Sequence, residues 1–228
     1  MKLFTRVFSF FFFLFLLFGC RVLDYSSGDR SSIFNRFIKP KFPTEYWIYA
    51  GDFTQEEVDT IHQGYQNWEP ALQKLTATPF HFRFMGYTFT PINDDDTMHV
   101  IKKDPLSGNT VGQACLLLTP FGQKPVFGGD LRIASDKSFH TTDQWHFDGW
   151  RVYFSNCLEA IVTHEVGHLM GLGHSPNSND IMYFQESASF CANRKPTPND
   201  EYALEQFYLQ YLTNFDFAKN INEDLSNL

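Results

Sequence analysis

The stretch HEVGHLMGLGHS, residues 164–175, holds three histidines spaced by four and then six positions, with Glu165 behind the first and glycines in the second gap. On a helix, four residues bring a side chain back to within about 40° of its starting direction, one turn further along. His164 and His168 therefore share a face and can grip one ion. Neutral imidazole nitrogens suit a borderline metal such as Zn²⁺. Continued helix would carry His174 about 9 Å past His168 and roughly 120° around the axis, out of reach of that ion. The chain must turn back. Gly171 sits where the turn is needed, because glycine accepts the left-handed conformation that ends a helix. Gly173 is expected to add freedom to the return.

Three neutral histidines leave the ion dipositive with an open fourth position, where a water would be acidified. Glu165, adjacent to the first ligand, cannot point at the metal with it. Its carboxylate can reach that water as general base and then pass the proton to a leaving amine. A histidine pair with a glutamate is a short motif that chance supplies. A further glycine and histidine at set offsets are not needed by a helix that merely carries surface histidines.

HEVGHLMGLGH resembles the long zinc signature of metzincin metalloproteases, HExxHxxGxxH, at every fixed position. SPNSNDIMYF follows, with Met182 eight residues after His174. Ser175 and the Met182-Tyr183 turn make the chain similar to the matrixins, the matrix-metalloproteinase branch. The resemblance implies a zinc endopeptidase with His164, His168 and His174 as ligands, Glu165 as base and Met182 as an apolar floor beneath the imidazoles. It also implies a protein or peptide substrate bound by strand addition. GGDLRIAS (128–135) resembles the edge strand that would hold it, and PTPNDEYALEQFY resembles the closing helix. Phe184 stands where astacin- and serralysin-type turns carry a tyrosine ligand and where matrixins usually have proline. No cysteine-switch propeptide is visible.

The elements that must position these residues are readable from Thr44 onward. EYWIYA is an aromatic strand candidate. Thr54 with Glu57 forms a capping box, opening a helix with Val58, Ile61, Tyr65, Trp68 and Leu72 on one face, which Pro70 should kink or end. FHFRF (80–84) alternates as a half-buried strand, and MHVIK, ACLLLT, DLRIA and RVYF are further strands. Asn156 to Glu159 reads as a second capping box ahead of the histidines. Thr197-Pro198-Asn199-Asp200 reads as a helix start with proline at N1 and acids in the first turn, followed by an apolar face of Leu204, Phe207, Tyr208 and Tyr211. The fold class is α+β: a metzincin-like catalytic domain with a mixed twisted sheet, an active-site helix, a methionine turn and a C-terminal helix.

The 228 residues suit one domain with a real core. Residues 1–19 read as a signal peptide: Lys2 and Arg6, then an apolar run from Phe8 to Phe18. That run is shorter than the ~20 residues a transmembrane helix needs. Leu17-Phe18-Gly19-Cys20 resembles a bacterial lipobox, which makes Cys20 the lipidated first residue; an ordinary signal peptide or an uncleaved anchor is the alternative. Residues 20–43 read as a tether, or as a short inhibitory segment, and 44–228 as the protease domain. Removing Lys2 and Arg6 lowers Lys plus Arg from 18 to 16 against 26 acids, taking the net charge from −8 to −10. Such a chain is expected to avoid nucleic acid and to touch a membrane only through acyl chains. The expected location is the cell envelope, outside the cytoplasm, with secretion as the alternative, and the expected state is a monomer. One disulfide among Cys115, Cys157 and Cys191 is expected, with Cys157–Cys191 favoured because both flank the site.

Weaker constellations remain. His140, Asp143 and His146-Phe147-Asp148 resemble part of a matrix-metalloproteinase loop for a second zinc and Ca²⁺, but solvated loop residues are the simpler reading. Asp94-Asp95-Asp96 could bind Ca²⁺ and more commonly marks an exposed turn. His62, His81 and His99 lack ligand spacing and read as ordinary surface or core histidines. A different class of function stays open: a surface lipoprotein that uses this scaffold to bind a macromolecular partner.

Overall fold

The structure, a computed structural model, describes residues 44–76, 79–90, 98–116, 129–141, 146–147, 152–153, 156–183 and 194–209. Cys20, the tether, Asp94–Asp96, Asp143, Asp148, Phe184, Cys191 and Tyr211 lie outside them.

The expected α+β class is what is found. The strands are β1 (Thr44–Tyr49), β2 (Phe82–Thr88), β3 (Val100–Asp104), β4 (Gly112–Leu116) and β5 (Gly129–Ala134). They form one mixed sheet in the order β2-β1-β3-β5-β4. The pairs β1–β2, β1–β3 and β3–β5 are parallel, and β4 runs antiparallel to β5. Short pairs follow: β6 (Phe139–His140) with β9 (Asn156–Cys157), and β7 (His146–Phe147) with β8 (Val152–Tyr153). The helices are α1 (Gln55–Gln66), α2 (Glu69–Leu75), α3 (Leu158–Leu169) and α4, described over 198–209.

Local chemistry explains the helix boundaries. Thr54 caps α1 with the reciprocal Glu57 bonds of a capping box, as expected. Pro70 does not kink that helix. α1 ends at Gln66, and Pro70 sits in the first turn of α2, where its missing N–H has no partner to lose. Trp68 and Leu72 still reach the core, from the junction and from α2. The expected start of α3 at Asn156 is corrected: Cys157 is the N-cap, without a side-chain hydrogen bond, and the helix begins at Leu158. FHFRF is shifted too, since the strand begins at Phe82 and runs on to Thr88.

Eleven of the twelve residues of α3 are buried, so this helix has no solvated face. It packs on α1, β4 and β5. A single core joins Ile48, Ile101, Leu131 and Ile133 from the sheet to Ile61 and Tyr65 of α1 and to Leu158, Ile161 and Val166 of α3. Gly64 lets the two helices touch, because a Cβ there would lie 2.6 Å from Val162 Cγ1.

His62, His81 and His99 are satisfied structural histidines, as read. His62 pairs with the Tyr46 hydroxyl, and His81 with Glu69 and Thr76. His99 lies in the core between Tyr65 Oη and the Gly129 carbonyl, beside the Tyr46 ring. Asp130 nearby accepts the Val100 N–H. Burial lowers His99 to about 4 from 6.5. The neutral form is thus the folded form. Its stability is fully present above pH 6.5 and is lost as pH falls from there toward 4. The expected loss is about 3 kcal/mol over that window. Urea unfolding at pH 7 and pH 4.5 checks it: His99→Gln should show a smaller drop than wild type, and equal drops would refute the assignment.

Candidate metal centre

α3 carries His164, Glu165 and His168 on a helix stopped by a glycine. Gly171 has φ +94°, the left-handed conformation expected of it. Leu172 N–H donates to Gly167 O at 3.0 Å and Gly171 N–H to His168 O at 2.9 Å. These are the paired bonds of a Schellman motif. Gly173 takes no positive φ, so Gly171 alone makes the reversal. The chain then returns His174 to the other two histidines.

The three side chains converge. His168 Nε2 lies 3.0 Å from His164 Nε2 and 3.2 Å from His174 Nε2. Nitrogens held about 2.0–2.1 Å from one ion at tetrahedral angles would be about 3.3 Å apart. The far side of two rings is already committed. His164 Nδ1 donates to Ile181 O at 2.7 Å, and His168 Nδ1 to Leu172 O at 2.8 Å. Those bonds leave the Nε2 lone pairs of His164 and His168 facing inward. Burial also keeps both rings neutral: it lowers His164 to about 4 and His168 well below 6.5. Lone pairs aimed at one another repel unless a cation sits between them, so the donor set fits a divalent metal. Among the described residues this is the one group of three or more His, Cys, Asp or Glu residues able to hold an ion.

Glu165 is buried beside this cage. Burial raises its carboxyl to about 8, against the lowering effect of a hydrogen bond from the Ala114 N–H of β4. It is held at the sheet's rim, facing β4.

Beneath the rings the chain forms a tight loop. Ser175 N–H donates to Met182 O at 2.6 Å, closing residues 175–182. Met182 is 2% exposed and lies against Gly167, where any Cβ would collide with its sulfur and approach Trp68. Met182 is therefore packed against α3, and Gly167 is the gap that admits it. Trp68 braces the same helix through an Nε1–H bond to Thr163 O at 2.7 Å.

Asp200 holds this loop in place, a role the sequence reading missed by assigning it only to the dipole of a helix start. It accepts the N–H groups of Ile181 at 3.0 Å, Met182 at 3.3 Å and Thr197 at 2.8 Å. Thr197 in turn caps α4, with Asp200 N–H donating to its hydroxyl at 3.3 Å. Asp180 gathers the rest of the loop, accepting Ser175 Oγ–H at 2.6 Å and an Asn177 amide hydrogen at 3.1 Å.

One expectation is overturned. GGDLRIAS does not supply the substrate-binding edge, because β5 (Gly129–Ala134) is flanked by β3 and β4. The edge beside α3 is β4, Gly112–Leu116. Cys115 and Cys157 are both disulfide-bonded; Cys191, the favoured partner of Cys157, lies outside the described residues. His140 joins no metal cluster among the described residues.

A mixed sheet, a helix bearing two inward imidazoles, a glycine reversal bringing a third and a buried methionine packed against that helix define a metzincin-type metallopeptidase domain. Residues 49–209 match the family model of the matrixins (Peptidase_M10). That span exceeds half of the chain, which belongs to the matrixin family and is a zinc metalloendopeptidase. A search of curated proteins found no match.

Proposed function

We propose that this enzyme cleaves peptide bonds with Glu165 as proton carrier and with His164, His168 and His174 holding one zinc ion. The observation that carries the reading is the convergence of three imidazole nitrogens beside the buried Glu165 carboxyl group. Bound zinc would supply Lewis acidity, polarising the scissile carbonyl and acidifying the attacking water. Glu165 takes one proton from the water as its oxygen bonds to the carbonyl carbon. It then delivers that proton to the amide nitrogen as the C–N bond breaks. Among the described residues β4 is an edge of the sheet, and it would offer an extended peptide its backbone groups. Val111 O accepts the Ala134 N–H, so alternation along the ladder turns Gly112 and Ala114 outward.

Residues 44–228 form the catalytic domain in this reading. Residues 1–19 direct export, Cys20 carries the lipid, and 20–43 tether a monomer to the cell envelope. Disulfides at Cys115 and Cys157 support an oxidising compartment. The acidic balance supports protein or peptide substrates over nucleic acid. Among the described residues no helix is long and apolar enough to cross a membrane.

A peptide-library digest with zinc, with chelator, and with chelator followed by zinc tests the chemistry. Cleavage should vanish with chelator and return with zinc. Cleavage indifferent to chelator would sink the reading. Mass spectrometry of the mature N-terminus tests the anchor: an acylated Cys20 supports it, and an unmodified or different first residue refutes it.

A further inference from the structure

The edge strand β4 also meets Glu165. A Cβ built on Gly112 would lie 2.9 Å from Glu165 Oε1, 3.0 Å from Glu165 Cγ and 2.6 Å from Ile161 Cγ2. Two residues on, Ala114 N–H donates to the same carboxylate. Gly112 does not use left-handed backbone, since its φ is not positive. Its small size is what the position requires.

We infer that Gly112 is a positioning residue for the reaction: its missing side chain lets Glu165 lie against the sheet edge, where the Ala114 N–H orients its carboxylate. This rests on the reading of Glu165 as proton carrier. A glycine inside a strand weakens it, and a close approach by another group is a recognised reason to keep one. Here the approaching groups are Ile161 Cγ2 and the Glu165 carboxylate. The Ala114 N–H would otherwise be an open edge donor. Spending it on Glu165 leaves Ala114 C=O and the Gly112 groups for a docked peptide. The edge therefore has two tasks: one donor aims the carboxylate, and the neighbouring groups align the substrate.

Gly112→Ala tests this. A methyl at this point must displace both Ile161 Cγ2 and the Glu165 carboxylate, and a displacement of about 1 Å in a catalytic group can cost about 100-fold. The expected result is a kcat about 100-fold lower, with KM within about 2-fold and zinc content unchanged. Glu165→Asp supplies the second arm, because the shorter side chain draws back from the new methyl. It should lower kcat in the wild-type background, yet cost far less, or restore activity, in the Gly112→Ala background. The unfolding midpoints of the four zinc-loaded proteins should show the same coupling, with Glu165→Asp relieving the instability that Gly112→Ala introduces. If Gly112→Ala alone does not fold, adding Ile161→Ala removes the other contact and leaves only the carboxylate to respond. An unchanged kcat, a loss that tracks zinc content, or strictly additive effects of the two substitutions would overturn the proposal. Persistent activity in Glu165→Ala would instead overturn the underlying reading of Glu165, whatever Gly112→Ala does.

Discussion

Glu165→Ala should lower peptide hydrolysis by about 10²- to 10⁴-fold while the protein keeps its zinc. The two expectations separate chemistry from binding. Glu165 is beside a histidine ligand in sequence but faces β4, and its contacts are Ala114 N–H and the space above Gly112. Removing its carboxylate takes nothing from the hydrogen bonds that orient His164 and His168, which go to Ile181 O and Leu172 O. Zinc content by elemental analysis should therefore match wild type. A buried carboxylate is also costly to hold, so the variant should unfold no earlier than wild type. Turnover persisting in clean Glu165→Ala protein would remove the proposed proton carrier. Loss of zinc together with turnover would mean that the carboxylate supports the metal instead. The same variant addresses the rival reading of a binding scaffold: a protein that only captures a partner should bind it equally with and without this carboxylate and cleave no peptide in either form.

Asp200→Ala is expected to cost more than about 3 kcal/mol of stability and to weaken zinc binding about 10- to 100-fold. Asp200 is 2% exposed and accepts the backbone N–H groups of Ile181, Met182 and Thr197. Alanine would strand all of these donors, each costing about 1–3 kcal/mol when buried without a partner. The effect on zinc passes through one peptide unit. Asp200 fixes the Ile181 N–H, and the Ile181 carbonyl accepts His164 Nδ1–H at 2.7 Å. Loosening that unit frees the ring that presents Nε2. Asp200→Asn keeps one carbonyl acceptor and should lie between wild type and alanine. Urea unfolding and a competitive-chelator titration measure the two effects. An alanine variant within about 1 kcal/mol of wild type with unchanged zinc affinity would show that the loop holds itself.

Features governed by a few adjacent residues were legible in the sequence. The Thr54 capping box, the Gly171 reversal, the helix start at Thr197 and the shared face of His164 and His168 all follow from local spacing or local backbone freedom. What escaped depends on residues far apart in the chain. Asp200 reads as an acid in the first turn of a helix, and only the fold brings it to Ile181 and Met182. Gly112 reads as punctuation before a strand, and only the packing of α3 shows that Glu165 occupies the space. Strand order was hidden for the same reason. β5 reads as an apolar strand whether it is central or at an edge, although burial of five of its six residues suits a strand covered on both faces. The capping expectation at Asn156 failed because the local pattern competed with Cys157, which is tied into a disulfide and ends the preceding strand. Gly167 offered a signal that went unread: a glycine inside a helix costs about 1 kcal/mol relative to alanine and usually has a packing reason.

The brace beneath the cage has a consequence for the order in which the enzyme comes into being. Asp200 supports the loop under His164, and Phe207 of α4 lies where any side chain on Gly171 would collide. Both residues follow the ligand histidines in the chain, so a growing polypeptide exposes its metal-binding motif before it owns the parts that rigidify it. A ribosome-bound fragment ending before Pro198 lacks both supports. Competence to cut is thereby deferred until nearly the whole domain has been made.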